Sequence, residues 1–329
     1  MATSTQIKSL LISAKDGDKK HLRSVALQIA ADEEIKGHIK FADEIKKIVS
    51  NLDLSSDSHI KPVNINPIPI VQPTGELKDL FEAEYSTIKL NDLIFPMDLK
   101  SRIDRLITEQ NSKDRLREFN LLPRSKVLLV GAPGTGKTMT AKAIGGELQI
   151  PVFTVQLDRL LTKYMGEASS KLRLVFDQIK RIKGVYFFDE FDAIGSSRDL
   201  GNDVGEIRRI LNTFLQFIEQ APNDSVILAA TNHIELLDKA LFRRFDDVLE
   251  YKLPDEELRR KAFKYRLHNL NIKNINWEKI VKQSDGLSFD EITKICHDLH
   301  KSKILNSHET LSDKIILSVI KDRKNTNKI

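Results

Sequence analysis

Eight residues near the middle of the chain, Gly131-Ala132-Pro133-Gly134-Thr135-Gly136-Lys137-Thr138, restrict its fold more than any other segment. An apolar run from Lys126 to Val130 leads into them, and a helix-prone stretch from Met139 to Ile144 comes after. The spacing is G-x-x-x-x-G-K-[ST], a turn between a strand and a helix whose glycines let consecutive backbone N–H groups converge on a polyphosphate. The helix N-terminus adds partial positive charge. On this reading Pro133, Gly134, Thr135, Gly136, Lys137, Thr138 and Met139 hold a nucleotide. Lys137 reaches the β- and γ-phosphates, and the Thr138 hydroxyl ligates Mg²⁺.

A second apolar run, Gly184 to Phe188, stops at two carboxylates, Asp189 and Glu190. Beside a phosphate loop such a strand end has a use. Asp189 holds Mg²⁺ through its water shell, and Glu190 takes a proton from the water that attacks the γ-phosphate. A carboxylate at Glu190 points to hydrolysis and not to binding alone. A third strand-like segment ends in Ala229-Ala230-Thr231-Asn232, where the Asn232 amide would orient that water and sense the γ-phosphate. Arg243 and Arg244 are adjacent at a predicted helix end. Arginine's rigid fork suits phosphate oxygens, and one supplied by a neighbouring subunit lowers a phosphoryl-transfer barrier.

Predicted strands at Lys126–Val130, Val152–Gln156, Val185–Phe188, Val226–Thr231 and Val248–Tyr251 alternate with helical patterns. Among these, Glu206–Gln220 carries Ile207, Ile210, Leu211, Phe214 and Ile218 on one face. That alternation implies an α/β fold with a five-stranded parallel sheet between helices. Residues 76–123 read as a helical lead-in, including Met97–Phe119, so the α/β unit is placed at 76–252. After Pro254 the chain reads as helical, with helices near 255–270, 276–284, 288–305 and 310–322, giving a smaller unit at 253–329. Residues 1–50 carry three amphipathic patterns punctuated by Gly17 and Gly37. So small a module has little core of its own and is expected to dock on another surface. Pro62, Pro67, Pro69 and Pro73 mark residues 51–75 as a linker.

The chain has 329 residues, 40% of them hydrophobic, enough for two or three units. A net charge of +5 with 30% charged residues describes a mixed surface and does not by itself argue for nucleic acid. One cysteine, Cys296, excludes an internal disulfide and fits a reducing compartment. No basic-then-apolar leader opens the sequence, and no apolar run nears the ~20 residues of a membrane span, so a cytoplasmic protein without a membrane partner is expected.

Taken in order, the phosphate loop, Lys163-Tyr164-Met165-Gly166-Glu167-Ala168, Asp189-Glu190-Phe191-Asp192, Ala229-Ala230-Thr231-Asn232, Arg243-Arg244-Phe245-Asp246 and Leu253-Pro254-Asp255 resemble the AAA+ ATPases. The likeness is to the clade that includes spastin, katanin and the proteasomal ATPases, and it spans about residues 85–305. It implies a phosphate-loop NTPase core with a C-terminal helical lid, ATP and Mg²⁺ as cofactors, and a ring of like subunits, usually a hexamer. Arg243 and Arg244 would act on the next subunit's ATP. Tyr164 and Met165 would line a central pore and grip a threaded polypeptide, with Gly201–Gly205 as a second pore loop. Two departures stand out. Gly286-Leu287-Ser288-Phe289-Asp290-Glu291 replaces the family's Gly-x-Ser-Gly-Ala-Asp, so adenine contacts, and any by His268, do not carry over. The two arginines also lack the Pro-Gly spacer many members have, which leaves the principal finger open. The first fifty residues are similar to the leading module of certain bacterial AAA ATPases, some of them the ATPase half of two-gene phage-defence systems. The other half there is a subtilisin-like serine protease, which here would be a separate chain. The function expected is ATP-driven remodelling of protein substrates. The alternatives are an ATP-gated oligomerisation switch and a DNA-remodelling loader. The Tyr164-Met165 pair favours remodelling, and modest basicity without a helix-turn-helix argues against DNA.

Overall fold

The computed structural model describes residues 3–15, 19–50, 77–160, 167–195, 204–237, 239–270, 275–305 and 312–326. The predicted pore residues Tyr164 and Met165, the linker at 51–75 and residues 201–203 of the second pore loop lie outside them.

The five predicted strands all form, and a sixth joins them. In chain order they are β1 (Phe81–Glu84), β2 (Lys126–Gly131), β3 (Val152–Val155), β4 (Val185–Phe188), β5 (Val226–Thr231) and β6 (Asp247–Tyr251). They lie side by side in the order β1-β3-β4-β5-β2-β6. All pairings are parallel except β1 with β3, which is antiparallel with Phe81 opposite Val155. The sixth strand corrects the reading of 76–123 as purely helical. Its sequence, Phe-Glu-Ala-Glu, is poor in strand formers, so tertiary pairing decides its state. Phe81 supplies the reason: its ring meets Phe153 at 5.9 Å and Tyr186 at 6.0 Å, both edge to face. The predicted Met97–Phe119 helix is likewise two helices, Met97–Asn111 and Lys113–Glu118, broken where Ser112 leaves helical geometry at φ −106°, ψ 18°.

β4 shows how the sheet is buried on both faces. Val185 and Phe187 join one apolar cluster with Leu129, Ile144 and Ile103, while Tyr186 and Phe188 join the other with Phe176, Phe214 and Ile218. Four consecutive apolar residues therefore serve two cores through the period-2 alternation of a strand. The helices Met97–Asn111 and Lys137–Leu148 cover the first face, and Ala168–Arg181 and Val204–Gln220 the second.

After β6 four helices, Glu256–Arg266, Trp277–Gln283, Phe289–Leu305 and Asp313–Thr326, pack around their own core of Phe263, Ile280, Ile292, Ile295, Leu299 and Ile316. Cys296 is buried there, and burial pushes its thiol up to about 12, so it is inert packing. At the other end α1 (Ser4–Lys15), α2 (Lys19–Ile35) and α3 (Ile39–Ser50) form a small bundle. It docks on the sheet-bearing body, as its thin core leads one to expect. Tyr85 Oη donates to Gln28 Oε1 at 2.5 Å, and Leu27, Val49 and Tyr85 share an apolar contact. Beside them Glu34 on α2 takes ion pairs from Lys46 at 2.8 Å, Lys113 at 2.9 Å and Lys183 at 2.5 Å. Burial alone would raise the Glu34 carboxyl, but Lys183 and Lys46 override it and hold it well below the usual carboxylate range.

Candidate nucleotide site

β4, β5 and β2 are neighbours, so their carboxyl ends bring three distant segments of the sequence to one edge. That edge is where open parallel sheets place their ligands. A cleft of about 470 Å³ opens there, between the phosphate loop and the C-terminal helices. Pro133, Gly134, Thr135, Gly136, Lys137, Thr138, Met139, Asp189, Glu190 and Asn232 all line it.

The loop's shape comes from its glycines. Gly136 caps the helix Lys137–Leu148 with φ 105°, a left-handed conformation that aims the free N–H groups of the first helical turn into the cleft. Gly134, at φ 73°, has no room for a side chain, since a Cβ would fall 2.6 Å from Ser288 Oγ. Thr135 is buried and ties the loop to itself through Oγ1 and the Ala132 carbonyl at 2.7 Å.

Lys137 is 7% exposed, and its ammonium donates to the carbonyls of Gly131 at 2.6 Å and Ala132 at 3.0 Å. Its third partner is Asn232 Oδ1 at 2.8 Å, so the amide read as a γ-phosphate sensor is bonded directly to the ammonium expected to meet the phosphates. Burial lowers the Lys137 pKa, and the nearby Asp189 and Asp192 oppose that shift. A buried ammonium whose present partners are neutral oxygens gains strongly from an anion. Lys137→Ala is expected to weaken ATP binding by about 100-fold or more, read by titration of a fluorescent nucleotide with melting temperature as the folding control.

Thr138 Oγ1 donates to Asp189 Oδ2 at 3.0 Å, and the other carboxylate oxygen accepts the Glu190 N–H at 3.0 Å. One hydroxyl and one carboxylate are thus fixed side by side. Among the described residues no group of three or more His, Cys, Asp or Glu side chains gathers to cage a metal. This donor set suits Mg²⁺, which keeps several waters and arrives with substrate phosphates. Glu190 is exposed and turns the chain at φ 51°, left-handed geometry that costs a residue with a Cβ about 1 kcal/mol. Phe191, the next residue, holds that strain in place. Its N–H donates to the Ala230 carbonyl at 2.8 Å, and its fully buried ring packs 4.7 Å from Phe214. The Glu190 carboxylate is thereby lifted off the strand end into the cleft. Nothing in the sequence signalled this turn.

The structure does not bring the two arginines to this cleft, and it separates them. Arg244 is tied down: Nε donates to Glu219 Oε1 at 2.7 Å and Nη1 to the Ala240 carbonyl at 3.1 Å. Arg243 is exposed, with no hydrogen-bond or ion-pair partner among the described residues. His268 also stays out of the cleft and bonds the Tyr265 carbonyl at 2.7 Å. Sequence reasoning missed the apolar half of the cleft, formed by Leu93, Ile94 and Phe95 on one side and Ala262, Tyr265 and Phe289 on the other. Segments so far apart carry no local signal of meeting.

Residues 127–253 match the AAA family, described as the ATPase family associated with various cellular activities. Along nearly its whole length, 98% of the chain, it is 30% identical to an uncharacterised AAA family ATPase, y4kL, of Sinorhizobium fredii, covering 96% of that protein. The chain belongs to the AAA family of ATPases. This AAA protein is also 36% identical over 214 residues to a proteasome-activating nucleotidase of Saccharolobus islandicus, and 34% identical over 212 residues to one of Methanoregula boonei. Those matches take in 62% of this AAA chain and 54% and 48% of the two relatives, so it spans about half the length of the nucleotidases. Nucleotide binding and ATP hydrolysis come with the family, and the α/β core with its C-terminal helices agrees with it. Among the described residues no helix of this AAA protein is long and apolar enough to cross a membrane.

Proposed function

We propose that this AAA ATPase is Mg²⁺-dependent, acts as a ring of like subunits, and spends ATP on unfolding or remodelling protein substrates. The observation that carries this reading is Arg243. It is an exposed cation outside its own cleft, on the turn between the helix Lys239–Phe242 and β6, while every other predicted catalytic group of the described residues, Arg244 apart, lines that cleft. A site otherwise complete, with a free arginine elsewhere on the surface, is the expected form of a centre finished by the next subunit. A hexamer is the ring the resemblance implies. The relatives named proteasome-activating nucleotidases support a protein substrate.

Within that reading Asp189 and Thr138 hold the metal, Glu190 accepts the water's proton, and Asn232, bonded to Lys137, orients that water and senses the γ-phosphate. Mg²⁺ held there would supply positive charge to offset the charge that develops on the phosphates. The module α1–α3 selects what the ring acts on. It presents Ile7, Leu11, Phe41 and Ile48 outward, each about half exposed or more, for a substrate or for a separate subtilisin-like serine protease in phage defence. The ring works in the cytoplasm.

Tyr164 and Met165 are assigned to the pore, where apolar and π contacts tolerate many substrate side chains. Truncating both to Ala is expected to leave ring mass and basal ATPase unchanged. It should abolish ATP-driven unfolding of a fluorescent protein carrying an unstructured tail. Undiminished unfolding by the double variant would replace threading with the nucleotide-gated switch.

A further inference from the structure

The cleft has two halves of opposite chemistry. Its polar half is the phosphate loop with Asp189, Glu190 and Asn232, and its apolar half is the slot between Leu93–Phe95 and the C-terminal helices. One acidic side chain stands at the seam. Asp290 donates its backbone N–H to the Gly134 carbonyl at 3.0 Å, and its Cβ lies 3.1 Å from where a Gly134 Cβ would be. Its neighbour Phe289 belongs to the apolar slot, so within two residues the wall changes from ring to carboxylate just where it touches the phosphate loop.

The position is fixed, not incidental. Ser288 and Glu291 close a reciprocal cap on the helix Phe289–Leu305: the Ser288 N–H donates to Glu291 Oε2 at 2.6 Å and the Glu291 N–H to Ser288 Oγ at 3.3 Å. Between them Asp290 occupies the first helical turn, and Lys294, one turn on, holds Asp290 Oδ2 at 2.7 Å. Both side chains of that pair are about half exposed, 49% for Asp290 and 52% for Lys294, so the pair leaves acceptor capacity on the carboxylate.

A carboxylate beside a phosphate loop is repelled by phosphate, so its presence calls for a hydrogen-bond donor on the ligand. A nucleotide with its phosphates on residues 133–138 and its base in the apolar slot spans the seam with its sugar. The sugar of a ribonucleotide carries two adjacent hydroxyls, and a carboxylate accepts from such a pair with both oxygens. We propose that Asp290 reads the sugar, accepting hydrogen bonds from the ribose 2′- and 3′-hydroxyls, and thereby selects ribonucleoside triphosphates over their 2′-deoxy counterparts. This rests on the nucleotide-site reading above and adds to it a specificity residue from the C-terminal helices.

The test is a comparison of ATP and 2′-deoxy-ATP affinities, with Mg²⁺, for the full chain and for Asp290→Ala and Asp290→Asn. The parent chain is expected to favour ATP about tenfold, as befits a charge-assisted hydrogen bond in a partly open site. Asp290→Ala should bring the ratio close to one by weakening ATP alone. Asp290→Asn, which keeps one acceptor, should retain part of the preference. Both substitutions keep the backbone N–H that meets Gly134, and equal melting temperatures would show that the fold survives. The proposal is overturned if the parent shows no preference, if the ratio persists in Asp290→Ala, or if that variant binds both nucleotides more tightly. The last result would make Asp290 an electrostatic brake on phosphate instead. Failure of the parent chain to bind either nucleotide would sink the nucleotide-site reading itself, a result plainly different from equal binding of the two.

Discussion

Arg243→Ala subunits are expected to bind ATP as tightly as the parent chain and to hydrolyse it ~10³-fold or more slowly, within the ~10³–10⁵ range of a trans-acting arginine. Affinity should survive because Arg243 touches nothing in its own cleft, and turnover should fall because the neighbour's transition state loses a cation. Arg244→Ala is expected to behave differently. Its guanidinium is held by Glu219 and the Ala240 carbonyl, so its loss should loosen the turn that presents Arg243. A lowered melting temperature should accompany its loss of activity. Mixing decides whether Arg243 acts across subunits. Arg243→Ala subunits keep a sound phosphate loop, and Lys137→Ala subunits keep a sound arginine. Rings of both, verified by mass, should therefore regain activity at interfaces that pair the two intact parts. No recovery at any ratio would place Arg243 in a structural role within its own subunit.

The second large effect is expected at Glu190. Glu190→Gln should bind ATP normally and hydrolyse it about 10²–10⁴-fold more slowly, the usual worth of a positioned general base. The comparison is clean because the two side chains are nearly isosteric and the left-handed backbone at φ 51° is anchored by Phe191, not by the carboxylate. Only the capacity to take a proton changes. Single-turnover hydrolysis beside equilibrium binding separates the two quantities, and a wild-type rate in Glu190→Gln would remove Glu190 from the chemistry.

The parts of the site legible in the sequence were those whose chemistry is local. A glycine-rich turn ahead of Lys137-Thr138 and a strand ending in Asp189-Glu190 announce themselves within a few residues, because each depends on its own backbone. What escaped depends on distant partners. β1 is a strand only because Phe81 finds Phe153 and Tyr186, and nothing in Phe-Glu-Ala-Glu requires it. The arginines looked equivalent until Glu219, far away in sequence, claimed one of them. The left-handed turn at Glu190 is likewise imposed by a hydrogen bond to β5. Asp290 read as a departure from a family pattern, and only its contact with Gly134 gave it a place.

The ion-pair cluster at Glu34 has a mechanical meaning. Its lysines come from α3, from the start of the helix Lys113–Glu118 and from Lys183, two residues before β4. β4 begins at Val185 and leads to the Asp189-Glu190 pair, about 13 Å from Val185 to Asp189 at the usual rise of a strand. The N-terminal bundle is therefore tied to one end of the same strand whose other end carries Asp189 and Glu190. A partner held on the outer faces of α1 or α3 would ride with the sheet, while the C-terminal helices line the cleft from the opposite wall. Load applied to the bundle reaches the sheet through Glu34 without passing through those helices.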